Sequence, residues 1–142
     1  MILPDVNLLV HAIDETSPFH AGARRWWERT LSSPGTVGLC HPVVLGFVRL
    51  VTNRRVFGAP LPVGVALDNV QQWLDRPNVA LLTPTDRHWP VLSELLRSSG
   101  AGADLTTDAH IAAYAIEQAG TLYTNDGNFS RFEGLRCRNP LK

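Results

Sequence analysis

Three aspartates mark the places where strand-like runs hand over to helix or loop: Asp5 in MILPDVNLL, Asp108 in DLTTDAHIAAYA and Asp126 in TLYTNDGNF. Open parallel sheets gather their ligands at the carboxyl ends of the strands. Carboxylates converging on such an edge repel one another unless a cation sits among them. Hard oxygen donors of this kind select Mg²⁺ or Mn²⁺ over zinc. The first expectation is therefore a metal-dependent enzyme acting on phosphate. The cation would lower the pKa of a water, hold it in line and offset charge on the leaving group. Singly, each aspartate also has an ordinary reading. An acid in the first turn of a helix, such as Asp108, gains up to about 1 kcal/mol from the helix dipole. Asp126-Gly127 suits a common turn. Three such acids at sheet edges, drawn from both ends of the chain, favour the metal reading.

Composition removes several rivals. Formal net charge is zero, so long-range steering toward nucleic acid is weak. Twelve of the thirteen basic residues are Arg, and the only Lys is Lys142. Arg suits bidentate phosphate contacts, although codon bias gives the same composition. Receiver domains and haloacid-dehalogenase-type phosphatases also carry an Asp after the first strand. Both need a Lys beside the acids, and no internal Lys exists here. No P-loop motif occurs. The five His show no metal-ligand spacing and read as satisfied helix or loop residues, with His110 the one near the site. No apolar run is long enough for a membrane span. The N-terminus lacks the basic region of a secretion signal. Cys40 and Cys137 read as two reduced, buried thiols in a cytoplasmic protein.

The elements that must position the acids alternate between strand and helix. Strands are expected over 2–5, 36–40, 78–82 and 121–124, with a fifth short one over 135–137. Helices are expected over 7–14, 19–31, 42–53, 63–75, 87–98 and 106–118. The break at SGAG ends the fifth helix, and Gly120 stops the sixth. Such alternation implies a parallel sheet covered on both faces. The fold class is α/β, with residues 1–142 as one domain around four to five short strands.

The opening ILPDVNLLVHA, the segment GFVRLVTNRRVFGAP, the run TTDAHIAAYAIEQAG and the close LYTNDGNFSRFEGLRCRNPL together resemble a PIN-domain toxin. More narrowly they resemble the VapC ribonucleases of bacterial toxin–antitoxin pairs, in the mycobacterial-type branch. The resemblance spans essentially the whole chain. It implies a three-layer α/β/α sandwich, a homodimer, Mg²⁺ or Mn²⁺, and endoribonuclease activity through a metal-activated water. It also implies an antitoxin partner that inhibits the enzyme. Asp5, Asp108 and Asp126 match family acids and would serve as metal ligands. Asn7, Thr124 and Asn128 would orient ligands or waters. Either Asp126 or Asp5 could accept the proton.

The match is partial. The family's glutamate on the third helix has no counterpart, since residues 42–53 contain no acid and Gly46 stands about where it is expected. Asn128 stands where a second late acid is common. Asp104, four residues before Asp108, is either a replacement ligand or a helix cap. The site is then either a slow nuclease or a weakened module that mainly binds its antitoxin or RNA. Arg49, Arg54 and Arg55 lie near where family members present RNA-facing cations. Trp26, Trp27, Trp73 and Trp89 share helical spacing with Leu and Ala, which favours core or dimer packing over base stacking.

Overall fold

The structure is a computed structural model and describes residues 1–100 and 102–142. Its sheet has β1 (Ile2–Pro4), β2 (Val37–Leu39), β3 (Val79–Leu81), β4 (Thr121–Tyr123) and β5 (Arg136–Arg138). The helices are α1 (Val6–Ile13), α2 (His20–Ser32), α3 (His41–Val51), α4 (Val63–Leu74), α5 (His88–Ser99) and α6 (Leu105–Glu117). All ladders are parallel, in the order β3-β2-β1-β4-β5. The fold is thus the expected three-layer α/β/α sandwich. Each expected element is present, with ends shifted by one or two residues. A short 3₁₀ helix, Gly127–Arg131, is an addition to the expected elements. The SGAG break includes residue 101, which lies outside the described residues. None of the described helices is long and apolar enough to cross a membrane.

The sheet explains where the acids meet. β2 and β3 extend it to one side of β1, and the chain then crosses back to place β4 on the other side. The order reverses between β1 and β4, and crevices outside the carboxyl ends of strands form at such reversals. The strands are only three residues long, so the core depends on the helices. Leu3, Val37, Leu39 and Leu122 from the sheet pack with Leu8, Leu9, Phe47, Ile111 and Phe129. Trp27 meets Trp73 edge-on at 5.6 Å, Phe47 meets Trp73 at 4.9 Å, and Trp26 stacks on Tyr123 at 5.4 Å. Core packing is therefore right for three tryptophans. Trp89 lies outside the core, 73% exposed on the first turn of α5, which leaves it only the dimer alternative of that expectation. Cys40 is buried, but Cys137 is exposed on the edge strand β5, so the expectation of two buried thiols fails for the second.

Two local features hold α6 where the site needs it. Ala109, Ala112, Ala113 and Ala115 are fully buried, and their small side chains let the helix sit closely against its neighbours. At its far end the Glu117 carboxylate is sunk between elements. It accepts a short hydrogen bond from His88 Nδ1 and two from Thr85, from the backbone N–H at 2.9 Å and from the hydroxyl. This ties α6 to α5 and to the loop after β3. Burial opposes the charge on Glu117, yet the hydrogen bonds from His88 and Thr85 hold its pKa below the usual value. His88 Nε2 is buried without a partner among the described residues, so this histidine is only half satisfied.

Gly120 does not serve the expected purpose. The left-handed residue at the helix end is Ala119, with φ 50°. Gly120 is needed for space: a Cβ there would lie 2.5 Å from Leu3 Cδ1 and 3.0 Å from the Met1 carbonyl oxygen. Opposite outcomes are expected at these adjacent positions. Gly120→Ala should destabilise the fold by about 1–3 kcal/mol through overpacking. Ala119→Gly should stabilise it by up to about 1 kcal/mol by relieving the left-handed backbone. Urea denaturation of both variants checks this, and equal signs would contradict the assignment.

Candidate active site

A cleft of about 280 Å³ opens at the carboxyl edge of β1 and β4. Asp5, Asp104, Asp108 and Asp126 line it, with Asn7 and Arg49. The expected acids do converge.

Asp5 is the most constrained. It follows β1 directly and caps α1, and its Oδ1 accepts the Val6 N–H at 2.7 Å. Its Oδ2 accepts the Thr124 hydroxyl at 2.7 Å, across 119 residues of sequence. The Thr124 Oγ1 in turn accepts the Asp126 backbone N–H at 2.9 Å. One hydroxyl thus fixes the carboxylate of Asp5 and the backbone of Asp126 together. Asp5 is 4% exposed, and burial raises its pKa to about 6 despite the Thr124 and Val6 hydrogen bonds. The charges of Asp108 and Asp126 push the same way. Asp108 stands in the first turn of α6, half-buried. Its pKa is raised by burial and then by Asp126, with Arg131 opposing. Among the described residues none of the three has an ion-pair partner. Asp126 Oδ1 accepts the Asn128 N–H at 2.9 Å and caps the 3₁₀ helix.

The remaining expected residues divide. Asp104 occupies the cap position of α6, but its side chain makes no capping hydrogen bond. It is exposed and lines the cleft, which leaves it available as an additional oxygen donor. Thr124 holds an acid in place, as expected. Asn128 takes part through its backbone only, and its side chain does not line the cleft. Arg49 lines the cleft from the last turn of α3. Arg54 and Arg55 do not: they are exposed in the turn after α3, where Asn53 Oδ1 accepts the Arg55 N–H. Gly46, where the family glutamate is expected, packs flush on α1, so that a Cβ would lie 3.0 Å from Val6 Cγ2. Arg131, whose charge acts on Asp108, stands in a 3₁₀ helix that leaves no periodic signal in the sequence.

The donor set suits a hard divalent cation. Every group is oxygen, and Asp5 is a buried carboxylate with no counter-charge. The expectation that three aspartates enclose an ion is not met in full. Among the described residues no three His, Cys, Asp or Glu side chains group closely enough to hold a metal ion. Mg²⁺ is commonly held by one or two carboxylates, with waters and substrate phosphates completing its octahedron. The site fits that open arrangement.

The raised pKa of Asp5 has a defined sign. Its native state keeps the proton more tightly than the unfolded chain does, so the stability present below pH 3.8 is lost as pH rises to about 6. The difference between 3.8 and about 6 amounts to about 3 kcal/mol at neutral pH. Wild type should therefore lose stability relative to Asp5→Asn between about pH 4 and pH 7, by up to that amount. Millimolar Mn²⁺ should restore much of it at about pH 7 and little below the pKa. Denaturation curves at several pH values, with and without Mn²⁺, test this, and parallel profiles for the two proteins would refute it.

Comparison with known proteins agrees with the geometry. The family model described as PIN domain matches residues 2–135. The chain is 41% identical over 142 residues to Ribonuclease VapC33 of Mycobacterium tuberculosis, covering all of this chain and 99% of that one. Two solved structures share the fold at 20% identity. One is VapBC2 from Rickettsia felis bound to a DNA fragment from their promoter, with TM-score 0.71 and coverage of 98% of both chains. The other is VapC20 of Mycobacterium tuberculosis, a Sarcin-Ricin loop cleaving toxin, with TM-score 0.67 and coverage of 96% of this chain and 99% of that one. The chain belongs to the PIN-domain family, among the VapC ribonucleases.

Proposed function

We propose that this protein is a divalent-metal-dependent endoribonuclease and the toxin of a toxin–antitoxin pair. The observation that carries the reading is the cleft in which Asp5, Asp108 and Asp126 converge beside Arg49 with no internal Lys to neutralise them. The full-length likeness to a VapC ribonuclease supports RNA as the substrate class. The likeness to VapBC2 supports a protein antitoxin as partner.

Asp5, Asp108 and Asp126 would hold Mg²⁺ or Mn²⁺ with waters between some of the carboxylates and the ion, and Asp104 would be a further oxygen donor. The bound cation supplies water activation and charge neutralisation at the phosphodiester. The chain's own part is positioning. The Val6 N–H and the Thr124 hydroxyl fix both oxygens of Asp5, and each oxygen keeps a further lone pair for a cation. The Thr124 bond to the Asp126 backbone keeps the second acid in register. Arg49 offers a guanidinium to a phosphate oxygen. With Gly46 in place of an acid, the ligand set is short and the enzyme should be slow.

Purified protein freed of antitoxin should cut a narrow set of RNAs with Mn²⁺ or Mg²⁺ present and none in EDTA. Asp5→Asn should abolish cutting, seen by mapping new RNA 5′ ends. Cleavage that persists in EDTA would overturn the mechanism. Antitoxin binding without any cleavage, under any metal, would instead favour a weakened binding module. Asp104→Asn should lower the rate about as far as Asp126→Asn if Asp104 replaces the missing glutamate. A rate near wild type would remove it from the ligand set.

The homodimer belongs to the same proposal. Leu45, Val63, Val65 and Leu67 stay exposed on α3 and α4, an apolar surface that suits a second copy. Light scattering at micromolar protein should give twice the chain mass, and a monomeric mass would refute it.

A further inference from the structure

Asp126 is shared by two cavities. On one side is the acid cleft. On the other is a pocket of about 190 Å³ between the end of β4, the 3₁₀ helix and β5. Arg138 and Lys142 line this second pocket with Asn125 and Asn139, and its side-chain acid among the described residues is Asp126, beside the terminal carboxylate of Lys142. The pocket thus sets two side-chain cations against one side-chain acid, where its neighbour sets Arg49 against four.

Its parts are fixed by the sheet. Arg138 pairs with Tyr123 in the β4–β5 ladder, and its carbonyl accepts the Thr124 N–H at 2.9 Å. The same Thr124 holds Asp5 through its hydroxyl. Arg138 is thus one ladder step from the acids, at the same carboxyl edge. Among the described residues neither Arg138 nor Lys142 lies within ion-pair distance of a carboxylate side chain. Asn125 is locked by its neighbour: its Oδ1 accepts the Asn139 amide at 3.0 Å, and Asn139 Oδ1 accepts the Leu141 N–H at 2.9 Å. That leaves the Asn125 amide N–H₂ as an oriented donor with no partner among the described residues.

We infer that this pocket is a phosphate subsite for single-stranded RNA, holding a backbone phosphate next to the one cut in the acid cleft. The inference rests on the ribonuclease reading above. Two unpaired cations and a free amide donor match a phosphodiester oxygen pair. The cavity is smaller than the usual small-molecule site, which suits a backbone group passing through it better than a whole nucleotide held there. A strand laid along the sheet edge would meet both cavities, with Asp126 between successive phosphates. Because whole-chain charge is zero, such a local pair of cations adds to Arg49 in holding the strand outside the metal.

The test separates binding from turnover. Anisotropy of a labelled single-stranded RNA oligonucleotide is measured in EDTA with wild type, Arg138→Ala, Lys142→Ala and the double variant. Arg76→Ala, at the opposite end of the sheet, is the control. The double variant should bind roughly tenfold more weakly. Its plot of log K against log salt should be shallower by about 0.7 for each phosphate no longer neutralised. Arg138→Lys should keep most of the salt slope, and serves as the second variant should Arg138→Ala lower the melting point. Unchanged affinity and slope, or an equal loss in Arg76→Ala, would overturn the subsite. Equal weakening toward a polyglutamate peptide would overturn its assignment to RNA. RNA that binds through Arg138 but is never cut with Mn²⁺ would overturn the ribonuclease reading and leave the subsite standing.

Discussion

The parallel pairing of β1 with β4 is the constraint on which the rest of the molecule depends. It joins residues 2–4 to residues 121–123, and the Asp5 N–H then donates to the Tyr123 carbonyl at 2.8 Å. Both strands end there, so the next residues on each, Asp5 and Thr124, emerge side by side. The Thr124 hydroxyl turns this adjacency into a fixed carboxylate. Gly120 belongs to the same device, since only a residue without a Cβ lets β4 approach Met1 and Leu3 closely enough.

What the pairing assembles is electrostatically unfavourable. A carboxylate 4% exposed, with two further acids acting on it and no internal Lys in the chain, has its pKa pushed to about 6. The fold tolerates this because both oxygens of Asp5 are hydrogen-bonded and because the core on either side is continuous. Perturbed groups of this kind concentrate at functional sites, where the arrangement is kept for what it binds. The neighbouring pocket shows the complementary choice, with cations left unpaired one ladder step away. An acid-rich cavity and one with two unpaired side-chain cations thus lie next to each other along one edge of a neutral protein.

The support for α6 lies far from the acids. The Glu117–His88–Thr85 cluster anchors the C-terminal end of the helix, and Asp108 projects from its first turn. The buried alanines between these points allow no slack. At α3 the close packing of Gly46 on Val6 fixes the helix start that carries Asp5. That packing occupies the position where an acid is expected, so the absence of a side chain at Gly46 and the tight α1–α3 approach go together.

Much of the fold is legible in the sequence. Alternating apolar runs and helical periodicity locate each strand and helix to within two residues, because both patterns are local consequences of burial on one face. The strand-end positions of Asp5 and Asp126, and Asp108 in a first helical turn, follow from the same patterns. Asp104 stays open between cap and ligand in the sequence because both readings share one backbone position, and the missing capping bond speaks only against the cap. Arg49 and Arg54 look alike in sequence, yet one lines the cleft and the other does not, since the helix ends between them. Exposure of Trp89 and Cys137 escapes a sequence reading, because an edge strand and a first-turn residue have the same local pattern as buried ones. The bond between Asp5 and Thr124, the tie from Glu117 to His88 and the shared wall at Asp126 join residues distant in sequence. Local pattern carries no information about such pairs, so only the register of β1 on β4 and the packing of α6 on α5 decided them.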